Sequence, residues 1–350
     1  MYINERMRRM ARVKWEDDRT GFLRLDMNEN PAGLPEEFVR GVCAQIDGGL
    51  LARYPDQTRL TAALSEREGV RPEQIALTNG SDEAIRGVLE TFAGPGSRAV
   101  IVTPSFEMYR IYSEMLGVEL VRVPFGEDLT LPLDVLKSEI TPQTDLVILF
   151  NPNSPIGEAY TLEELRELLT ACRQAGALAV IDEAYYPFGV SSAVKLLEEF
   201  PDLIVLRTFS KLYSLAGLRV GYALGNQEWI RCLQNGLATY NVNAVGLLFA
   251  EELLKRSDVI EGLLRTEAEG RRYLLEQLEQ AGCPYYAGGG NYVLVKPVRP
   301  AAEIAAKLYQ RGILIKTYQS GVLKDWIRVT TGSKEIMEQF WEAYCSCEDR

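Results

Sequence analysis

The chain has 350 residues, 47% of them hydrophobic and 25% charged, with a formal net charge of −11. Such a composition is that of a globular protein long enough for two domains, and its negative field argues against nucleic acid or an anionic membrane as partner. The sequence contains no His, which excludes Ser-His-Asp and Cys-His catalysis and His-ligated metal sites and leaves proton transfer to Lys, Tyr, Asp, Glu or Cys.

In chain order, residues 1–21 carry charge throughout and lack the apolar stretch of a secretory signal, and no later segment approaches the ~20 apolar residues of a membrane span. From about residue 75, short β-branched runs alternate with amphipathic helices. The strands expected are Ile75–Thr78, Ala99–Thr103, Glu119–Val123, Leu146–Phe150, Ala177–Ile181, Leu203–Arg207 and Leu218–Ala223. Helix starts are signalled at Ser81-Asp82-Glu83, at Pro104-Ser105, and at Thr161 with Glu164, a capping box. Alternation of this kind predicts an α/β fold with a mainly parallel sheet of about seven strands. After about residue 245 the pattern changes: one long charged helix (Ala250–Gln280), a strand (Asn291–Lys296), a helix (Ala302–Arg311), two short strands (Ile313–Lys316, Trp326–Thr330) and a closing helix. The expected division is an N-terminal arm with part of a small domain over 1–46, a large domain over 47–250 and a small α+β domain over 251–350. The six Cys are scattered without C-x-x-C or zinc spacing, as reduced thiols of the cytoplasm would be.

Polar residues gather where the expected strands end: Asn79-Gly80-Ser81, Pro104-Ser105-Phe106, Asn151-Pro152-Asn153, Asp182, and Thr208 through Lys211. Ligands of open α/β sheets bind at that edge. A Gly turn entering a helix at Ser81-Asp82 offers backbone N–H groups to a phosphate, although an ordinary helix cap reads the same way. Phe106 suits either a flat ring or the core. Asp182, at the end of an apolar strand, is either functional or held by a cap or an ion pair. Lys211 tips the balance. It stands beside Thr208 and Ser210 and eight residues before Arg219, so hydroxyls and a guanidinium for a phosphate lie next to an amine that can form an imine with an aldehyde cofactor.

Residues 209–222 resemble the cofactor-lysine segment of fold-type I pyridoxal-phosphate aminotransferases, in the histidinol-phosphate aminotransferase subgroup. The resemblance continues through Asn28-Glu29-Asn30-Pro31, Arg53-Tyr54-Pro55-Asp56, Asn79 to Glu83, Asn151-Pro152-Asn153, Asp182 to Tyr185, Tyr240 to Asn243 and Ile327 to Thr330. It implies pyridoxal 5'-phosphate held by Lys211 as a Schiff base, with Asp182 on the pyridinium nitrogen, Tyr185 on the phenolic oxygen and Phe106 on the ring face. The phosphate would rest on the Ser81 and Asp82 N–H groups, Thr208, Ser210 and Arg219, and on Tyr54 of a neighbouring subunit, which implies a homodimer with shared active sites. Arg328 would bind the substrate carboxylate, with Asn30 nearby.

The sequence departs from the family pattern in three places. Ser154 stands where an Asn reaches the phenolic oxygen, Ala32 where a Tyr lies near substrate, and Lys316 where a second substrate Arg is usual. These changes imply altered substrate recognition, while the fold and the cofactor survive them. The expected activity is transfer of an amino group from a donor such as glutamate to a small, perhaps phosphorylated, carbonyl substrate. A decarboxylase resembling phosphothreonine decarboxylase is the alternative on the same fold. A regulatory domain that binds the cofactor is not expected, since the residues before Leu25–Pro31 are too few for a DNA-binding segment.

Overall fold

The computed structural model describes residues 3, 5–10 and 18–348; the rest of the expected N-terminal arm, at residues 1, 2, 4 and 11–17, lies outside the described residues. Among the described residues twelve strands form in chain order: β1 Leu23–Leu25, β2 Ile75–Thr78, β3 Arg98–Thr103, β4 Glu119–Pro124, β5 Leu146–Phe150, β6 Leu178–Asp182, β7 Leu203–Thr208, β8 Gly221–Gly225, β9 Tyr285–Tyr286, β10 Tyr292–Val295, β11 Ile313–Thr317 and β12 Ile327–Thr330. They make a seven-stranded sheet ordered β2-β8-β7-β6-β5-β3-β4 and a five-stranded sheet ordered β1-β11-β12-β10-β9.

In the larger sheet β8 alone runs antiparallel to its neighbours. Its central strands are buried along their whole length, as β5 (LVILF) and β7 (LIVLRT) show, because helices cover both faces. The Thr161–Glu164 capping box forms: Glu164 N donates to Thr161 Oγ1 at 3.2 Å and Thr161 N to Glu164 Oε2 at 2.8 Å, starting helix Leu162–Ala175. Leu165, Leu168, Leu169 and Cys172 then face the sheet at helical spacing.

Three expected boundaries move for identifiable reasons. The strand expected at Ala177–Ile181 runs one residue later, so Asp182 is its last member, paired with Phe150 and Leu206. The strand expected at Leu218–Ala223 begins only at Gly221, because residues 216–218 form a 3-10 turn and Arg219 is left-handed (φ 54°). The single helix expected over Ala250–Gln280 is two, Ala244–Leu254 and Ser257–Gln280. They are interrupted at Arg256, which leaves helical geometry (φ −115°, ψ 73°) and pairs with Asp258 at 2.7 Å.

The smaller sheet has a core of its own, where Leu25, Val293, Val295, Ile313, Ile327 and Val329 meet Leu274, Ile304, Phe340 and Tyr344. The chain's beginning joins its end there, for β1 pairs in parallel with β11, Leu23 opposite Ile313. Among the described residues no helix is long and apolar enough to cross a membrane.

Candidate active site

β2 ends at Thr78, and the chain turns at Gly80 (φ 75°) into helix Gly80–Phe92. That helix presents free N–H groups and the positive end of its dipole at Ser81 and Asp82. The Arg219 guanidinium lies against the same turn: a methyl group at Gly80 would stand 2.5 Å from it, and one at Gly221 would stand 2.6 Å from the Ser81 nitrogen. Glycine at both positions therefore keeps the turn open to the guanidinium. Thr208, at the end of β7, donates to Ser210 Oγ at 2.9 Å, and Arg219 Nη1 donates to the same oxygen at 3.4 Å. Helix N–H groups, hydroxyls and a guanidinium thus converge from strands β2, β7 and β8 into an anion cradle.

Lys211 follows directly. Its Nζ donates to the Met27 carbonyl at 2.8 Å and lies 5.5 Å from the centre of the Tyr185 ring. The Tyr185 hydroxyl accepts a hydrogen bond from Asn28 Nδ2 at 2.9 Å. Burial pushes that phenol up, but the charges of Lys211 and Arg328 and hydrogen bonds involving Asn28 and Ser154 outweigh it and hold it below its usual value.

Asp182 is 5% exposed. Burial pushes its carboxyl up to about 6, although hydrogen bonds from the Tyr109 hydroxyl and the Ala184 N–H, each 3.0 Å, favour the ionised form. A carboxyl so deep is short of positive charge, and a protonated ring nitrogen would supply it. Phe106 caps helix Glu107–Leu116 one turn before Tyr109 and is 45% exposed.

Arg328 and Lys316 sit opposite one another on β12 and β11. Arg328 Nη2 donates to the Asp26 carbonyl at 2.7 Å and Nη1 to Ser154 Oγ at 3.5 Å, whereas Lys316 is exposed. Asn30 is otherwise engaged: its Nδ2 donates to Gly33 O at 2.9 Å and Ser214 Oγ at 2.7 Å, which takes up both amide protons. The Asn of this motif that meets Tyr185 is Asn28, which the sequence reading passed over. Tyr54 is 78% exposed and stacked on Tyr240 with ring centres 4.3 Å apart.

Sequence reasoning also missed Tyr109, which looks like any helix-core aromatic, and Tyr292, whose hydroxyl donates to the Asn153 carbonyl. No local sequence signal marks any of them, and only the backbone of Asn28 stands out. It is a buried, left-handed residue (φ 57°), as are Ser214 (φ 59°, half-buried) and Arg219 in backbone type, and non-glycine positive φ gathers where the backbone is held for function.

The family model for aminotransferase class I and II matches residues 20–343. The chain is a class I and II aminotransferase. It is 35% identical over 320 residues to histidinol-phosphate aminotransferase 1 of Carboxydothermus hydrogenoformans, covering 91% of this chain and 90% of the relative. It is 32% identical over 329 residues to histidinol-phosphate aminotransferase of Brevibacillus brevis, covering 92% and 89%. Among solved structures, the aminotransferase matches the histidinol-phosphate aminotransferase of Clostridium acetobutylicum with a TM-score of 0.85 at 24% identity, over 93% of this chain and 99% of that one. The Sinorhizobium meliloti enzyme, solved in complex with pyridoxal-5'-phosphate, gives 0.84 at 23% identity, over 93% and 90%. These likenesses make the fold that of the fold-type I aminotransferases, and the alternative of a decarboxylase finds no support among the relatives.

The aminotransferase depends on pyridoxal 5'-phosphate, and the residues present fit that group. The glycine-lined cradle under Arg219 suits its phosphate, the buried Asp182 its ring nitrogen, and Lys211 its aldehyde. Ser154 is the one unusual member. Its hydroxyl lies against those of Tyr185 and Tyr292. An Asn there would bring a longer amide donor to the cofactor's phenolic oxygen, so Ser154→Asn is expected to lower the pKa of the cofactor–lysine linkage. A spectrophotometric pH titration without substrate checks this; an unchanged or raised pKa would mean that Ser154 already serves that oxygen.

Proposed function

We propose that this aminotransferase moves an amino group between glutamate and a small phosphorylated carbonyl compound, as the names of its histidinol-phosphate relatives suggest. The observation that carries the reading is the placement of Arg328. It is a half-buried guanidinium held by the Asp26 carbonyl and linked through Ser154 to Tyr185, whose ring in turn faces the Lys211 amine. An anionic group gripped by Arg328 would present the neighbouring carbon to Lys211.

When bound, pyridoxal phosphate supplies an aldehyde for amines and a ring that takes up the electron pair left at the substrate carbon. In this reading Lys211 holds the cofactor and then moves the proton at that carbon. Asp182 keeps the ring nitrogen protonated, Tyr185 donates to the phenolic oxygen, and Phe106 covers the ring face. Ser81, Asp82, Thr208, Ser210 and Arg219 hold the phosphate. Arg328 takes the substrate's anionic group and Lys316, beside it on the sheet, a second one.

The reading is tested by offering histidinol phosphate or glutamate as amino donor with a keto-acid acceptor, and following the phosphorylated ketone formed from the first and the 2-oxoglutarate formed from the second. Arg328→Lys is expected to lower kcat/KM for glutamate roughly 10- to 100-fold, since hydrogen bonds to charged groups contribute about 1.5–3 kcal/mol and the planar fork is lost. Lys316→Arg, which gains a fork at an exposed position, should change it by less than about threefold. Equal small effects would place neither residue on substrate.

The exposed Tyr54–Tyr240 stack and the neighbouring Leu51, 65% exposed, support a homodimer in which Tyr54 reaches the cofactor phosphate of the partner. Sedimentation of the holoenzyme is expected to give a dimer at assay concentration; an active monomer would refute the shared site.

A further inference from the structure

Along β11 the side chains alternate. Ile313 and Ile315 pack into the smaller core, and Lys316, opposite Arg328, belongs to the other face. Tyr318, just past the end of β11 and two residues from Lys316, packs against the larger core. Its hydroxyl is buried and, among the described residues, meets no hydrogen-bond partner. The same is true of Arg328 Nε. A buried donor left unmatched is costly, so two such donors, with the Arg328 charge acting on Tyr318, point to a ligand that accepts from both. Burial pushes the Tyr318 phenol up and outweighs the lowering effect of the Arg328 charge, so it remains a protonated donor at neutral pH.

We propose that Tyr318 is a specificity-determining residue, the hydroxyl that completes the Arg328 anion site for a phosphate monoester. The geometry of the anion carries the distinction. A carboxylate has two oxygens in one plane, which a guanidinium alone matches. A phosphate monoester has three terminal oxygens arranged tetrahedrally, and the third lies out of the guanidinium plane. A separate donor, set just past the end of the neighbouring strand, is needed to reach it. The inference rests on the substrate reading above and extends it: glutamate uses the guanidinium, and the phosphorylated amine uses the guanidinium and Tyr318 together.

Tyr318→Phe removes the oxygen and keeps the ring that packs against the larger core. With the cofactor-loaded enzyme, kcat/KM for histidinol phosphate should fall at least tenfold further than kcat/KM for glutamate, as loss of a hydrogen bond to a charged group implies. Calorimetric titration of the holoenzyme with methyl phosphate and with propionate, neither of which reacts, should show the loss confined to methyl phosphate. Equal losses with both anions, or none with either, would overturn the assignment. If the wild-type enzyme transaminates neither donor, the substrate reading fails, and the two titrations still decide the role of Tyr318.

Discussion

Replacing Lys211 by Ala is expected to abolish transamination, by roughly 10³-fold or more, since positioned acid–base catalysis alone contributes about 10²–10⁴-fold and the covalent hold on the cofactor goes with it. Lys211 Nζ reaches the Met27 carbonyl and the face of Tyr185, beside the cradle formed by Thr208, Ser210 and Arg219. Borohydride treatment of the wild-type holoenzyme, followed by peptide mass spectrometry, should find the reduced cofactor on Lys211. An adduct on another lysine, or a Lys211→Ala enzyme of near-normal rate, would remove the basis of the mechanism.

The second large effect is expected at Asp182, and it has two faces. Its carboxyl is raised from 3.8 to about 6 by burial. A raised carboxyl adds stability that is fully present below pH 4 and lost as pH rises through 6, because the ionised form must then stay buried. At about 1.4 kcal/mol per pKa unit, that loss amounts to about 3 kcal/mol by pH 8. Asp182→Asn cannot ionise and keeps an oxygen for Tyr109. The cofactor-free variant should therefore be more stable than wild type at pH 8 and nearly equal at pH 4, as denaturant unfolding would read. Catalysis should move the other way, falling by about 10²-fold or more, for the amide cannot hold a proton on the ring nitrogen. A cofactor-free variant less stable than wild type at pH 8 would mean that Asp182 already has its positive partner within the chain.

The larger sheet was legible because its strands are short β-branched runs bounded by turns, and the edge of the site because polar residues stand out at the ends of those runs. Thr161 and Glu164 announced their helix with purely local chemistry. What escaped has partners far away in sequence. Tyr109 bonds Asp182 across 73 positions and Asn28 bonds Tyr185 across 157, and neither contact leaves a local mark. Asn30 and Asn28 are indistinguishable as residue types. Only the backbone decides that one amide is turned to Gly33 and Ser214 and the other to Tyr185. The break at Arg256 was hidden for a similar reason, because the residues on both sides favour helix.

The pairing of β1 with β11 bears on how the protein is made. Leu23 leaves the ribosome early, and its partner Ile313 follows 290 residues later. At about 5–20 residues per second, the first strand waits roughly 15–60 s for the edge it completes. Throughout that interval the Asp26–Asn28 segment, which also meets Lys211 and Tyr185, lacks Arg328, the donor to the Asp26 carbonyl. The parallel sheet can collapse during translation, but the catalytic cleft closes over only after the last hundred residues have emerged. A ribosome stalled before Ile313 would thus carry a chain with its cofactor cradle built and its substrate side missing.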